Sequence, residues 1–436
     1  MANAPFTSAE FPEFSDSASY RRFLTGIAEL PAGFSVSTAR IAFTPTERPT
    51  LEPYRMNLSL ILADEPTERF GAVFTRNAFP GAPVILGREK LGAPALQGLL
   101  INNKIANVRA RHGVEDAKRL ATSLGTQLGI DGDLLLSVST GIIGWALPVP
   151  EMEAVFPELV AGRHAGSALD LAEAIMTTDS FPKVRRVSVG EGSIVGIAKG
   201  AGMIEPNMAT MLVFMLTDVT VERDELRHAL SQAVEPTFNA ISVDSDMSTS
   251  DMAVIMSSGV RPAVAREEFA ARLHEVCGLL ASDVVRNGEG TGHVIEVTVT
   301  GLASDGEAKA AAKAVVNSPL VKAAVYGNDP NVGRLLSSLG DHLGNRGVEP
   351  DPREVTIDLG GQRVFASGAF TIDREKELVL SDYLKSAAVN PRLKGYPQHQ
   401  RRVAVHIACG NGPGSATVLG SDLSDEYVHE NADYRS

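Results

Sequence analysis

SIVGIAKGAGMIEPNMATMLVFMLTD, residues 193–218, carries two strand-like runs joined by one sharp bend. Ser193–Gly200 is short and mostly apolar, and Ala209–Asp218 has Thr210 at the head of an apolar run of buried-strand character. Between them, Gly200 and Gly202 permit tight turns or close backbone approach. Pro206 restricts the backbone just ahead of the second strand. Lys199 stands at the end of the first strand, where it can bring one positive charge to the bend.

Outward from this bend, short strands and helices alternate. MNLSLILAD (56–64), GAVFTRN (71–77) and LLLSVST (134–140) read as strands, the last running directly into Gly141. RARHGVEDAKRLATSLGTQLG (109–129) has helical spacing and ends on Gly129, and ALDLAEAIM (168–176) suggests a second helix. Further helices are expected over 222–234 and 263–285. Strands are expected at MAVIMSSG (252–259), HVIEVTVTG (293–301), EVTIDLGG (354–361) and RVAVHIACG (402–410). Such alternation predicts a mixed α/β (α+β) fold. No fixed-period repeat or low-complexity linker divides the 436 residues. A functional boundary falls at Ala209/Thr210, giving segments 1–209 and 210–436 that need not fold independently.

Bulk chemistry narrows the function. With 53 acidic and 40 basic side chains the formal charge is −13, which disfavours nucleic acid or an anionic membrane as the main partner. Cys277 and Cys409 are the only cysteines, so no disulfide framework is expected, and no close Cys/His spacing suggests zinc. His293, His406 and His429 offer no ligand pair, and Asp244, Asp246 and Asp251 lack calcium-loop spacing, reading as a polar loop or helix start. No metal is therefore expected. No phosphate loop or dinucleotide fingerprint is present. The acidic, polar N-terminus does not read as a secretory signal, and no apolar stretch is long enough for a membrane helix, so a cytoplasmic protein is expected.

Taken alone, Thr210 is most simply a threonine at the mouth of a buried strand. Its hydroxyl is a weak nucleophile without a base in reach. Breaking the Ala209–Thr210 bond would give Thr210 an α-amine of pKa about 8, able to take the hydroxyl proton on the same residue. Thr210 Oγ attack on the Ala209 carbonyl, followed by ester hydrolysis, is a route to that cut. The surrounding run, Lys199, Gly200, Gly202, Met203 and Pro206 to Leu212, closely resembles the KGxGMxxPNMATML motif of the ornithine acetyltransferase family. Its members are also called bifunctional glutamate N-acetyltransferases, or arginine biosynthesis bifunctional proteins. The resemblance extends from about Phe34 to Ser436 and includes VNSPLVKAAVYGNDPNVGR (316–334).

The resemblance implies a two-lobed, DmpA-like fold in which a self-cleaved N-terminal threonine is the nucleophile. It places an oxyanion hole on Thr140 and Gly141, where STGIIG alone reads as an ordinary strand-to-turn junction. It assigns substrate contact to Thr177, Lys199, Thr210, Glu289, Asn431 and Ser436. Locally, Thr178 or Asp179 as a turn cap, Glu289 as a solvent-facing turn residue and a mobile acidic tail are the simpler readings. Ser436 stands where the family has a terminal threonine.

The implied reaction carries an acetyl group from N2-acetyl-L-ornithine to L-glutamate through acetyl-Thr210. It needs no cofactor, with acetyl-CoA a second acetyl donor in bifunctional members, and its partners are small amino-acid substrates within an α2β2 assembly of the two fragments. Lys104 and Ile105 depart from an NSGNANA-like run, Ser245 and Met247 from DGDTSTND, and Val332 from the tryptophan of PNWGR; CGNGPGSATVLGSDL (409–423) also differs from the family pattern. These departures keep open a paralogous N-acyl amino-acid acyltransferase or amidohydrolase with the same threonine. An inactive interaction scaffold is a further alternative.

Overall fold

The computed structural model describes residues 12–49, 52–205 and 211–432. Its strands form three sheets. One has four strands in the order Phe34–Phe43, Tyr54–Thr67, Leu96–Asn102 and Leu135–Ser139. The second has five, in the order Phe70–Phe74, Met252–Arg261, Leu212–Val219, Gly192–Lys199 and Lys183–Val189. These two sheets lie face to face. Val36, Ile61, Ile101 and Val138 of the first meet Val195, Ile197, Leu212, Phe214 and Val254 of the second in one buried cluster.

Helices cover both outer faces. Leu120 and Leu124 of helix Gly113–Leu128, with Met152, Phe156 and Leu159, pack on Leu58, Leu60 and Leu100 of the four-stranded sheet. On the far side, helices Arg223–Val234 and Arg266–Arg286 cover the five-stranded sheet through Leu226, Leu230, Val276 and Leu280, which cluster with Val213, Met215 and Ile255. The result is a helix–sheet–sheet–helix lobe. A seven-stranded sheet with Val294–Gly301, Val403–Ala408 and Gly412–Ser421 near its middle builds the second lobe. Helix Asp305–Asn317 packs on this sheet, and its core is continuous with that beneath helix Arg266–Arg286. The mixed α/β class and the two lobes match the expectation from sequence.

Leu212–Val219 explains its own composition. It lies between Met252–Arg261, parallel to it, and Gly192–Lys199, antiparallel to it, and all its residues are buried. A strand covered on both faces reads as a continuous apolar run rather than an alternation. The two strands flanking the bend are thus direct neighbours, paired from Ile194↔Thr217 to Lys199↔Leu212.

Most element boundaries shift by one to three residues from the sequence reading, and two of the larger shifts have a clear cause. The helix expected from residue 109 starts at Gly113, because Asn107 and Arg109 have φ of +52° and +58°, left-handed values that a helix cannot contain. The strand read as 56–64 extends from Tyr54 to Thr67, supported by partners on both edges.

Candidate active site

The loop after strand Leu135–Ser139 is built against a turn some 35 residues earlier in the chain. Thr140 donates its backbone N–H to the Asn102 carbonyl at 3.1 Å, and Ile142 donates to Lys104 at 2.9 Å. Asn102 is itself fixed: its amide reaches the Ile105 carbonyl at 2.8 Å, and its side-chain oxygen accepts from Ser139 Oγ at 2.7 Å. Gly141, at φ +132°, lies so close to Lys104 that a Cβ would stand 2.1 Å from its carbonyl carbon, so no side chain fits. With its backbone N–H committed, Thr140 has its hydroxyl left for the cavity it lines. That hydroxyl makes no hydrogen bond among the described residues.

A buried carboxylate organises the opposite end of the bend. Asp179 accepts from Thr177 N at 3.1 Å with one oxygen, and from Gly200 N at 2.8 Å and Lys183 Nζ at 2.6 Å with the other. Lys183 also donates to Asn287, the first residue of the NGEG turn (287–290) that carries Glu289. Burial opposes ionisation of Asp179, yet the charges of Lys183 and Lys199 and the hydrogen bonds from Lys183 and Gly200 hold its carboxyl down at about 2. The turn-cap reading of Asp179 is therefore too small a role. It ties Thr177, the end of the Lys199 strand and the turn preceding Glu289 into one charged core.

Glu289 is only 7 % exposed and is not the solvent-facing turn residue of the local reading. Its backbone N–H donates to Ala201 at 3.0 Å, and its Oε2 accepts from Asn431 Nδ2 at 2.8 Å. Burial raises its pKa, opposed by hydrogen bonds from Thr178 and Asn431 and reinforced by the charges of Asp244 and Glu430. The carboxylate presses on Gly202, where a Cβ would come within 2.4 Å of it. Asn431 belongs to helix Asp425–Ala432, so this part of the tail is seated in the site.

The acidic run 244–251 is a loop, as its sequence reads, but two of its carboxylates are turned inward. Asp244 accepts from Met203 N at 2.6 Å and Ile204 N at 2.7 Å, clamping the bend. Asp251 is 6 % exposed; burial pushes its carboxyl up to about 8, against the pull of the Lys199 charge and a Ser248 hydrogen bond. Neither role is visible locally. The one signal in the sequence is a cluster of acids in an otherwise apolar neighbourhood of strands.

One cavity of about 320 Å³ gathers these groups: Thr140 and Gly141, Thr177, Lys199, Asp251, and Glu289 with Asn431. Six of the residues named from sequence thus converge. Ala209, Thr210 and Ser436 lie outside the described residues; Met211, which follows Thr210, lines the same cavity. Lys104, Ile105, Ser245, Met247 and Val332 do not line it. Lys104 is exposed, and Val332 is buried in the second lobe's core. His293 is structural, held between Asp422 at 2.7 Å and the Leu384 carbonyl at 3.2 Å. Among the described residues no cluster of three or more His, Cys, Asp or Glu is disposed to hold a metal, and no helix is long and apolar enough to cross a membrane.

The sequence profile of the ArgJ family matches residues 48–436. The arginine biosynthesis bifunctional protein ArgJ of Geobacter sulfurreducens is 38 % identical over 416 residues, covering 90 % of this chain and 98 % of that protein. The glutamate N-acetyltransferase Oat2 of Streptomyces clavuligerus is 36 % identical over 405 residues, covering 93 % and 98 %. Among solved structures, the arginine biosynthesis bifunctional protein of Bacillus halodurans is 34 % identical, with a TM-score of 0.44, over 51 % of this chain and 98 % of that one.

Proposed function

The chain belongs to the ArgJ family, and from that membership and the cavity we propose that it is a glutamate N-acetyltransferase of arginine biosynthesis. It transfers acetyl from N2-acetyl-L-ornithine to L-glutamate, releasing L-ornithine and N-acetyl-L-glutamate. The observation that carries the reading is the convergence of Thr140, Gly141, Thr177, Lys199, Glu289 and Asn431 on one cavity. These residues come from five separate stretches of chain.

In this reading the chain cuts itself between Ala209 and Thr210, and the freed α-amine of Thr210 takes the proton of its own hydroxyl. Thr210 Oγ attacks the acetamide carbonyl, while Thr140 through its hydroxyl and Gly141 through its backbone receive the developing oxyanion. Lys199, which makes no ion pair among the described residues, offers its charge to the substrate carboxylate. Glu289, held by Asn431, offers a carboxylate to an ammonium group. The acetyl ester on Thr210 is then taken by glutamate. Acetyl-CoA as a further donor, an α2β2 assembly of the two fragments, a contact from Ser436 and a cytoplasmic location belong to the same proposal. The departures in sequence lie off the cavity lining, so no observation favours a different acyl amino acid.

Intact mass spectrometry after incubation with N-acetylornithine, without acceptor, tests the whole chain of steps. Fragments 1–209 and 210–436 are expected, with one acetyl group on the second and its loss on adding glutamate. Thr210→Ala is expected to remain uncut and inactive. An unbroken but active wild-type chain, or a cut Thr210→Ala chain, refutes the assignment.

A further inference from the structure

Acetyl transfer between two amino acids conserves one proton that the residues assigned so far do not carry. The donor's nitrogen leaves as an ammonium, and the acceptor arrives as an ammonium that must shed a proton before it can attack. In each half-reaction the Thr210 amine only relays the proton exchanged between its hydroxyl and the substrate nitrogen, and it ends as it began. Some other group has to give a proton to the departing amine and recover one from the entering amine.

Asp251 is placed for this. It lines the same cavity as Thr140 and Lys199 and is almost fully buried, and its Oδ2 has no hydrogen-bond partner among the described residues. Its position is fixed by the chain on both sides. Thr75 N donates to the Asp251 carbonyl at 3.0 Å, and Met252 N donates to Met211 at 3.1 Å, beside the start of the post-bend strand. A buried carboxyl oxygen left without a partner is costly, so its persistence points to a partner that arrives with the ligand. The ionisable groups that share its surroundings are Lys199, at the end of the neighbouring strand, and Glu289, elsewhere in the lining; Ser248, on its own loop, donates a hydrogen bond. Burial raises its pKa to about 8, so the carboxyl carries a proton at neutral pH that is available for a leaving amine.

We propose that Asp251 is a further catalytic residue, the carboxyl that protonates the departing amine and takes the proton back from the entering one. The steps balance. As the acetyl C–N bond breaks and the ester C–O bond forms, the Thr210 hydroxyl proton reaches the leaving nitrogen, and Asp251 supplies the second proton that makes it an ammonium. The resulting carboxylate deprotonates the acceptor ammonium. The neutral amine attacks the ester, and its remaining extra proton returns to Thr210 Oγ. The inference rests on the acetyl-transfer reading above.

Asp251→Asn keeps the shape and cannot carry the proton. General acid–base groups typically contribute about 10²–10⁴-fold, so kcat for transfer from N-acetylornithine to glutamate is expected to fall at least about 100-fold. A bypass pair needs no carrier: 4-nitrophenyl acetate, whose phenolate leaves unprotonated, as donor, and hydroxylamine, neutral at neutral pH, as acceptor. The bypass is expected to fall less than about tenfold, below the range of a general acid–base group. Asp251→Glu is expected to restore part of the amide-to-amine reaction with a displaced pH profile. Equal losses in both reactions, or unimpaired glutamate transfer by Asp251→Asn, overturn the proposal. If Asp251→Asn proves insoluble or unprocessed, Asp251→Glu decides: a natural-reaction pH profile unchanged from wild type overturns it, and a shift confined to the natural reaction supports it. Wild-type enzyme that runs the bypass but releases no ornithine in response to glutamate refutes the parent reading instead, and the role of Asp251 falls with it.

Discussion

Gly202 passes directly over the Glu289 carboxylate, and alanine at this position measures how tightly that carboxylate must be held. A Cβ at 202 would stand 2.4 Å from Cδ and Oε2 and 2.5 Å from Oε1 of Glu289. Non-bonded heavy atoms settle near 3.5 Å, so the carboxylate has to withdraw by about 1 Å. Withdrawal stretches its 2.8 Å bond from Asn431 beyond hydrogen-bonding range. A hydrogen bond to a charged group contributes about 1.5–3 kcal/mol, and each 1.4 kcal/mol is tenfold in affinity, which sets the expected loss at about 10- to 100-fold. Gly202 does not occupy the left-handed region, so alanine adds no backbone strain of its own to confuse the result. Steady-state kinetics with N-acetylornithine and glutamate should place the loss mainly in KM, because the proposed contact is to bound substrate in ground and transition states alike. A melting temperature close to wild type would confirm that the fold is intact. An unchanged KM for both substrates would show that Glu289 does not hold the amino acid, and the substrate side of the mechanism would have to be redrawn.

Thr140→Val removes the one hydroxyl that the loop leaves for the cavity, and kcat is expected to drop about 10²–10³-fold with KM little changed; a loss of KM alone would contradict an oxyanion role. Asn431→Ala removes a donor that favours ionised Glu289, so the Glu289 pKa should rise further and the acid limb of kcat/KM should move to higher pH, read from rate profiles. Asp179→Asn leaves Lys183 buried without its counter-charge and is expected to cost about 3–5 kcal/mol by urea denaturation at neutral pH. Because the folded-state pKa of Asp179, about 2, lies below the ordinary 3.8, its contribution is complete above the ordinary value and fades as pH falls toward 2, so wild type and variant should converge in acid. Ser245 holds φ +63°, and Ser245→Gly is expected to stabilise the protein by about 1 kcal/mol, visible as a raised denaturation midpoint.

The bend and its two strands were legible because glycine, proline and an unbroken apolar run each force a distinct backbone state over a few residues. The resemblance supplied the site residues, and each of those the structure describes meets the same cavity. What local sequence could not supply was the partner of each carboxylate. Asp179 acts on Gly200, 21 residues on, and Asp244 acts on Met203, 41 residues back. Asp251 shares its cavity with Lys199, 52 residues earlier by the numbering. In sequence all three acids sit in short polar runs that suit an exposed turn, and only the sheet order turns them inward. The same holds for the departures at Lys104, Ser245, Met247 and Val332. They stood close in sequence to family motifs, which suggested altered substrate surroundings, yet their positions are a surface turn, the clamp on the bend and the core of the other lobe.

Self-cleavage is useful to an enzyme only if opening the chain leaves the catalytic groups where they are, and the sheet order meets that condition. The proposed cut lies between two strands that are antiparallel neighbours in the five-stranded sheet, paired over six positions from Ile194↔Thr217 to Lys199↔Leu212. Backbone pairing and a shared core hold them together whether or not the loop between them is continuous. Lys199 is set by its strand and by Asp179 at Gly200, Met203 and Ile204 by Asp244, and Glu205 by a bond from Ser242 Oγ at 2.9 Å and by its own N–H donated to the Asp246 carbonyl at 2.9 Å. None of these supports passes through the 209–210 peptide. Closing a short loop between strands already aligned contributes little to stability, since loop-closure entropy grows only slowly with length. Opening that peptide would therefore change charge and freedom only at the two residues it joins, a carboxylate on Ala209 and an amine on Thr210, while Thr140, Lys199, Asp251 and Glu289 stay in register around the cavity, the arrangement that lets a cut create a nucleophile without dismantling its surroundings.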